Sequence, residues 1–159
     1  MPRMLIVYYS RTGNTEKMAD IVAEGVREEG GVEVDVRKVA EVTPEDLLEY
    51  DAIVMGSPVY YGTMAAEIKQ LIDESVRFHG KLDGKVGGAF ASSGGVGGGN
   101  ETTVMDIVKA LMIHGMVVKG VAAGDHYGPI AVGAPDERSR KQCLRYGHEV
   151  AALAKRLFT

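Results

Sequence analysis

The 159-residue sequence has no tryptophan and one cysteine, Cys143. A single thiol closes no intrachain disulfide and holds no iron–sulfur cluster, and its isolation suits a reducing cytoplasm, where we expect the protein. It falls in the final helical pattern and reads as a small core residue. No apolar run approaches the about 20 residues of a membrane span, and the N-terminus lacks a signal-peptide pattern. The four histidines, His79, His114, His126 and His148, form no H-x-x-x-H pair with a carboxylate cluster, so we expect no metal. A net charge of −4 is mild, and argues against a nucleic-acid surface, which needs a clustered basic face. Two phosphate signatures are also missing. There is no Gly-Lys-Ser/Thr of a P-loop, and no G-x-G-x-x-G follows the first apolar run, which excludes a lysine-and-magnesium nucleotide site and a first-turn dinucleotide site.

What is present is one globular domain spanning residues 1–159. Hydrophobic residues make up 45% and charged residues 25% of the chain, enough to bury roughly 70% of the unfolded surface. Strand and helix patterns alternate throughout. Apolar or alternating runs predict strands over residues 4–9, 32–36, 52–56, 86–91 and 116–121. Between them lie helical patterns over residues 15–29, 43–50, 64–76 and 100–112, and a last one over residues 136–158. The segment 122–135 reads as loop. Five strands alternating with helices predict an α/β, three-layer parallel sheet covered on both faces, in the order 2-1-3-4-5. In such a sheet ligands bind beyond the carboxyl ends of the strands.

Three loops at those ends are unusual. The first is Ser10-Arg11-Thr12-Gly13-Asn14-Thr15, a run of small, polar or basic residues opening a helix. Its hydroxyls, its N–H groups and the helix dipole suit a terminal monophosphate; the plainer alternative is that Asn14 or Thr15 only caps the helix. The second is Ser57 followed by Pro58, Val59, Tyr60, Tyr61 and Gly62, whose rings would lie against a flat heteroaromatic ligand or simply cover the sheet end. The third is Ser92, Ser93, Gly94, Gly95, Val96, Gly97, Gly98, Gly99 and Asn100. Its glycines suit main-chain donors touching a polar ring edge, against the alternative of a mobile surface loop. His126 and Tyr127 follow the fifth strand and reach toward the same crevice.

At these loops the sequence resembles the flavodoxin-fold, FMN-binding proteins, and most of all the Trp repressor-binding protein family of NAD(P)H:quinone oxidoreductases. The resemblance is carried by Val7-Tyr8-Tyr9-Ser10, Gly56-Ser57-Pro58 with Tyr61-Gly62-Thr63-Met64, Ser92-Ser93-Gly94 with Gly97-Gly98-Gly99-Asn100-Glu101, His114-Gly115-Met116, and Tyr127-Gly128. It implies a flavodoxin-like fold and FMN as cofactor, with the phosphate held by Ser10 to Thr15. Val59 to Tyr61 would flank the isoalloxazine, Ser92 to Gly98 would bind its polar edge, and His114 would approach the ring. Arg11 stands where the family can meet the nicotinamide nucleotide. The family also has a tryptophan after the third helix, near the ring of a neighbouring subunit; here Phe78-His79 stand in that region. The implied function is NAD(P)H-dependent two-electron reduction of a quinone or similar acceptor, in a homo-oligomer (dimer or tetramer). The alternatives are a one-electron carrier between partner proteins and a scaffold binding FMN structurally. FMN carries the chemistry in the redox cases, so no side chain is required as a catalytic acid or base.

Overall fold

Met4, Leu5, Ile6 and Val7 are wholly buried, which places their strand inside a sheet covered on both faces. In the computed structural model, which describes residues 1–159, that strand is β1 (Arg3–Tyr8). It is followed by α1 (Asn14–Glu29), β2 (Glu33–Lys38), β3 (Ala52–Tyr60), β4 (Thr63–Met64) and α2 (Ala66–Glu74). Then come β5 (Val86–Ser93), α3 (Asn100–Ile113), β6 (Val117–Val118), β7 (Ile130–Val132) and α4 (Glu137–Phe158). β1 pairs in parallel with β2 and β3, and β5 with β3, β6 and β7, giving the order β2-β1-β3-β5-β6. By position this is the flavodoxin-like order 2-1-3-4-5, built from seven strand segments rather than five continuous strands.

The side-chain alternation of β1 divides the core in two. Met4, Ile6 and Tyr8 pack with Met18, Val22, Val150 and Ala151 of α1 and α4. Leu5 and Val7 pack with Ile68, Leu71, Val104 and Ile107 of α2 and α3. α1 and α4 meet at Gly25 and Gly147, where a Cβ on either would stand 2.1 Å from a carbonyl oxygen of the other helix. Phe90, also wholly buried, lays its ring against Gly56, where an added Cβ would lie 2.2 Å from it.

Two expectations need correction. The fifth strand, expected over residues 116–121, stops at Val118, and its sheet position is resumed by β7 inside the stretch expected to be loop. The intervening residues carry Gly120, Gly124, Gly128 and Pro129, which weaken strand pairing. Gly128 passes so close to β5 that a Cβ would lie 2.1 Å from the Ala89 carbonyl oxygen. The Ala89 N–H, with no strand beside it on that edge, donates to Tyr146 Oη of α4 at 3.1 Å. The second correction is that β3 continues through Ser57–Tyr60 and turns back at Tyr61-Gly62 as a hairpin with β4, where only a loop was expected. The short helix before β3 is a 3-10 helix, Pro44–Glu49, started by a Thr43–Asp46 capping box.

Candidate functional site

The three loops after β1, β3 and β5 meet, and three contacts tie them together. Thr15 Oγ1 and Ser92 Oγ, both buried, lie 2.8 Å apart and join the first loop to the third. Tyr9 and Tyr60 stack edge to face at 6.1 Å and join the first to the second. A Cβ on Gly99 would stand 3.2 Å from the Gly62 carbonyl oxygen, so the second and third loops touch backbone to backbone.

In the first loop, Gly13 takes the N-cap position at φ 98° and no side chain caps α1. Asn14 and Thr15 therefore are not caps, which removes the plainer alternative for this stretch. Ser10 Oγ accepts from the Gly13 N–H at 3.1 Å, and the first backbone bond of the helix runs from Lys17 N–H to the Gly13 carbonyl. The N–H groups of Asn14, Thr15 and Glu16 are left without an intrahelical or side-chain acceptor, at the positive end of the helix. Those of Arg11 and Thr12 also lack an acceptor. Arg11 and Thr12 are exposed. The one acid in the first helical turn is Glu16, and it lies beside Tyr8, whose hydroxyl is pushed up to about 12 by burial and then by that carboxylate.

Along the second loop, Pro58 and Val59 are half-buried while Tyr61 is fully exposed at φ 50°, the sole non-glycine with positive φ. Backbone in that region carries strain that persists only where its surroundings hold it. Ser57 Oγ donates to the Pro58 carbonyl at 2.7 Å and accepts from the Ala65 N–H at 2.8 Å, which pins the hairpin to the start of α2. Burial raises the Tyr60 hydroxyl, with Tyr9 adding to the effect and Arg11 opposing it. The third loop is braced by Ser93 Oγ, which donates to the Gly95 carbonyl at 2.9 Å, and by Gly98 N–H to the same carbonyl at 3.2 Å. The N–H groups of Gly95, Val96 and Gly97 find no acceptor in the chain, and a Cβ on Gly94 or Gly95 would meet open space. The side chain of Val96 is 95% exposed.

Such an arrangement offers neutral N–H and hydroxyl donors at one end, aromatic faces at one side and bare main-chain donors at the other. It suits a phosphate ester joined to a flat ring with a polar edge. No acid falls among residues 57–62 or 92–100.

His114 is not brought to this site within the chain, contrary to expectation. It caps the C-terminal end of α3, at the opposite end of the sheet, because the helix of 14 residues starts at the glycine loop and runs about 20 Å away from it. There it is buried, with Nε2 2.8 Å from Ser75 Oγ and its ring 6.0 Å from that of His79. Burial, and then His79, hold its pKa below the ordinary histidine value. His126 and Tyr127 stand beside Glu101 at the start of α3, around a cavity of about 180 Å³ that no residue of the glycine loop lines. Cys143 is buried in the core, its thiol raised to about 12 by burial. Tyr9 is the site residue that sequence reasoning missed. It continues the apolar run of β1, and only its edge contact with Tyr60 marks it.

The sequence pattern of the family described as Flavodoxin domain matches residues 5–114. A protein named flavodoxin from Aquifex aeolicus is 42% identical, over 95% of this chain and 86% of its own. One named NAD(P)H dehydrogenase (quinone) from Archaeoglobus fulgidus is 35% identical over 99% of this chain and all of its own. Among solved structures, the flavodoxin, WrbA-like protein from Agrobacterium tumefaciens superposes with a TM-score of 0.82 at 27% identity, covering 99% of both chains.

Proposed function

The chain belongs to the flavodoxin domain family, and from that membership we propose that it is an FMN-dependent oxidoreductase taking two electrons from NADH or NADPH and delivering them to a quinone or a similar small acceptor. When bound, FMN supplies a ring that accepts a hydride and gives the electrons up again. The chain's own residues bind and orient. In this reading Ser10, Thr12, Thr15 and the N–H groups at the start of α1 hold the phosphate, Val59 to Tyr61 cover the ring faces and exclude water, and the main-chain donors of Gly95 to Gly97 meet the polar edge. Arg11 makes no ion pair or hydrogen bond to another residue of the chain and is exposed, so its guanidinium is free for the phosphates of the dinucleotide.

The observation that carries the reading is electrostatic. The rim has unused N–H donors and a free arginine but no acid in its second and third loops. Such a rim favours electron-rich, anionic partners over the cationic surfaces that an acidic rim would attract. The relative named flavodoxin keeps a second reading in view, a one-electron carrier between proteins.

Steady-state consumption of NADH and NADPH by FMN-loaded protein, with a small quinone as acceptor, decides between them. We expect turnover, with Arg11→Ala raising KM for the dinucleotide several-fold and leaving that for the quinone unchanged. A protein that oxidises neither dinucleotide, yet passes single electrons to a redox protein after photoreduction, is the carrier.

We also infer a homo-oligomer, dimer or tetramer, joined at the end of the molecule opposite the loops. There Val76, Met112 and Ile113 are 69%, 59% and 72% exposed, beside a cleft that His79 and His114 help to line. Exposed apolar clusters of this kind mark interaction surfaces.

A further inference from the structure

Thr15 and Ser92 are 77 residues apart in sequence, yet their hydroxyl oxygens share a bond of 2.8 Å with the side chains 1% and 5% exposed. Thr15 lies in the first turn of α1. Ser92 lies near the end of β5, two residues on from Phe90 and therefore on the same face of the strand, the one that α1 covers. Each hydroxyl carries one proton, and neither oxygen has any other partner in the chain. Two protons and one shared bond leave one O–H without an acceptor, where water scarcely reaches. By contrast Ser57 and Ser93 each donate to a carbonyl of their own loop. A buried donor left unused is costly unless an acceptor arrives with the ligand. At the N-terminus of a helix the favoured acceptor is an anion.

We propose that Ser92 is a positioning residue for the phosphate of FMN and acts through Thr15. Ser92 donates its proton to Thr15 Oγ1, which commits the Thr15 proton to a phosphate oxygen. The direction follows from place, since Thr15 sits on the helix whose N–H groups face the anion while Ser92 sits on the strand beneath. Hydrogen bonds in such a chain strengthen one another. The inference rests on the reading of residues 10–15 as the phosphate site.

The test is flavin titration of the full chain freed of bound flavin, followed by fluorescence quenching, with FMN and riboflavin side by side. Ser92→Ala should weaken FMN about three- to tenfold and leave riboflavin within about twofold. Thr15→Val should weaken FMN by about tenfold or more, and the double variant no further than Thr15→Val alone. Ser92→Thr, which keeps the hydroxyl, should bind FMN within about twofold of the parent; it carries the test if the alanine variant does not fold. The proposal is overturned if Ser92→Ala binds FMN like the parent, if it weakens both flavins equally, if its effect adds in full to that of Thr15→Val, or if Ser92→Thr loses FMN as badly as alanine. A parent protein that binds riboflavin as tightly as FMN rejects the phosphate site itself, a different result.

Discussion

The glycines of the third loop divide by what each is needed for. Gly97 and Gly99 have φ of +74° and +110°, a region where a side chain is strained. Gly94 and Gly95 have ordinary φ and open space where a Cβ would point. Backbone conformation therefore does not require glycine at position 95, and the bare surface it provides does. We expect Gly95→Val to leave the melting temperature of the flavin-free protein within about 2 °C, since exposed substitutions cost little, while weakening FMN about tenfold or more. Thermal melts and flavin titration check the two halves, and unchanged FMN binding would remove the loop from the site. At this scale the sequence was legible where unusual residues are consecutive, as in the loops 10–15 and 92–98, which the structure brings together. It was silent on the Tyr9–Tyr60 stack and on the Thr15–Ser92 bond, because both depend on which strands become neighbours. The place of His114 was hidden for a related reason: a motif does not report direction, and the run of α3 away from the glycine loop sets His114 at the other end of its own chain.

Among the elements, the central strands were plain from their sequences. β1, β3 and β5 are apolar on both faces, and Gly56 of β3 and Gly88 of β5 fit the close approach of Phe90 and Tyr146. The outer strand was only half legible, because its two segments are two and three residues long, and the second follows residues that read as turn. What bridges the gap is a side chain, Tyr146. Its hydroxyl accepts from the Ala89 N–H and is pushed up to about 12 by burial. Tyr146→Phe removes that acceptor and should cost about 1–3 kcal/mol at neutral pH, read as a lower urea midpoint. The pH dependence follows with a definite sign. Between about pH 10 and 12 the unfolded chain has lost the Tyr146 proton and the folded chain still holds it, so stability falls as pH rises, by up to about 1.4 kcal/mol per pH unit for this group. Below about pH 10 it contributes no slope. Tyr8, also raised to about 12, adds to the decline, so the phenylalanine variant should show a shallower alkaline loss rather than none. A slope as steep as the parent's would contradict the buried, neutral state of Tyr146.

For the whole molecule, the two ends of the sheet carry different surfaces. The loop end is rich in unused donors, and the opposite end exposes Val76, Met112 and Ile113. Ile113→Asp places a charge in that apolar patch, 72% exposed before assembly, and should therefore leave the folded monomer intact while breaking contacts between copies. Sedimentation velocity should show a dimer or tetramer for the parent and a monomer for the variant; a monomeric parent would end the assembly proposal.

The break between β6 and β7 leaves the chain with a seam. The segment crossing it is clasped at its base, where Asp125 takes two hydrogen bonds from Arg138 and one from the Ile130 N–H while its own N–H is held by Gln142. Upstream of that clasp, residues 122–124 are exposed, and no strand pairing runs through them. New chain spliced in there would lengthen the protein without shifting a rung of the sheet or a donor of the crevice. A seam of this kind lets the chain vary in length at one edge while the sheet beneath stays in register.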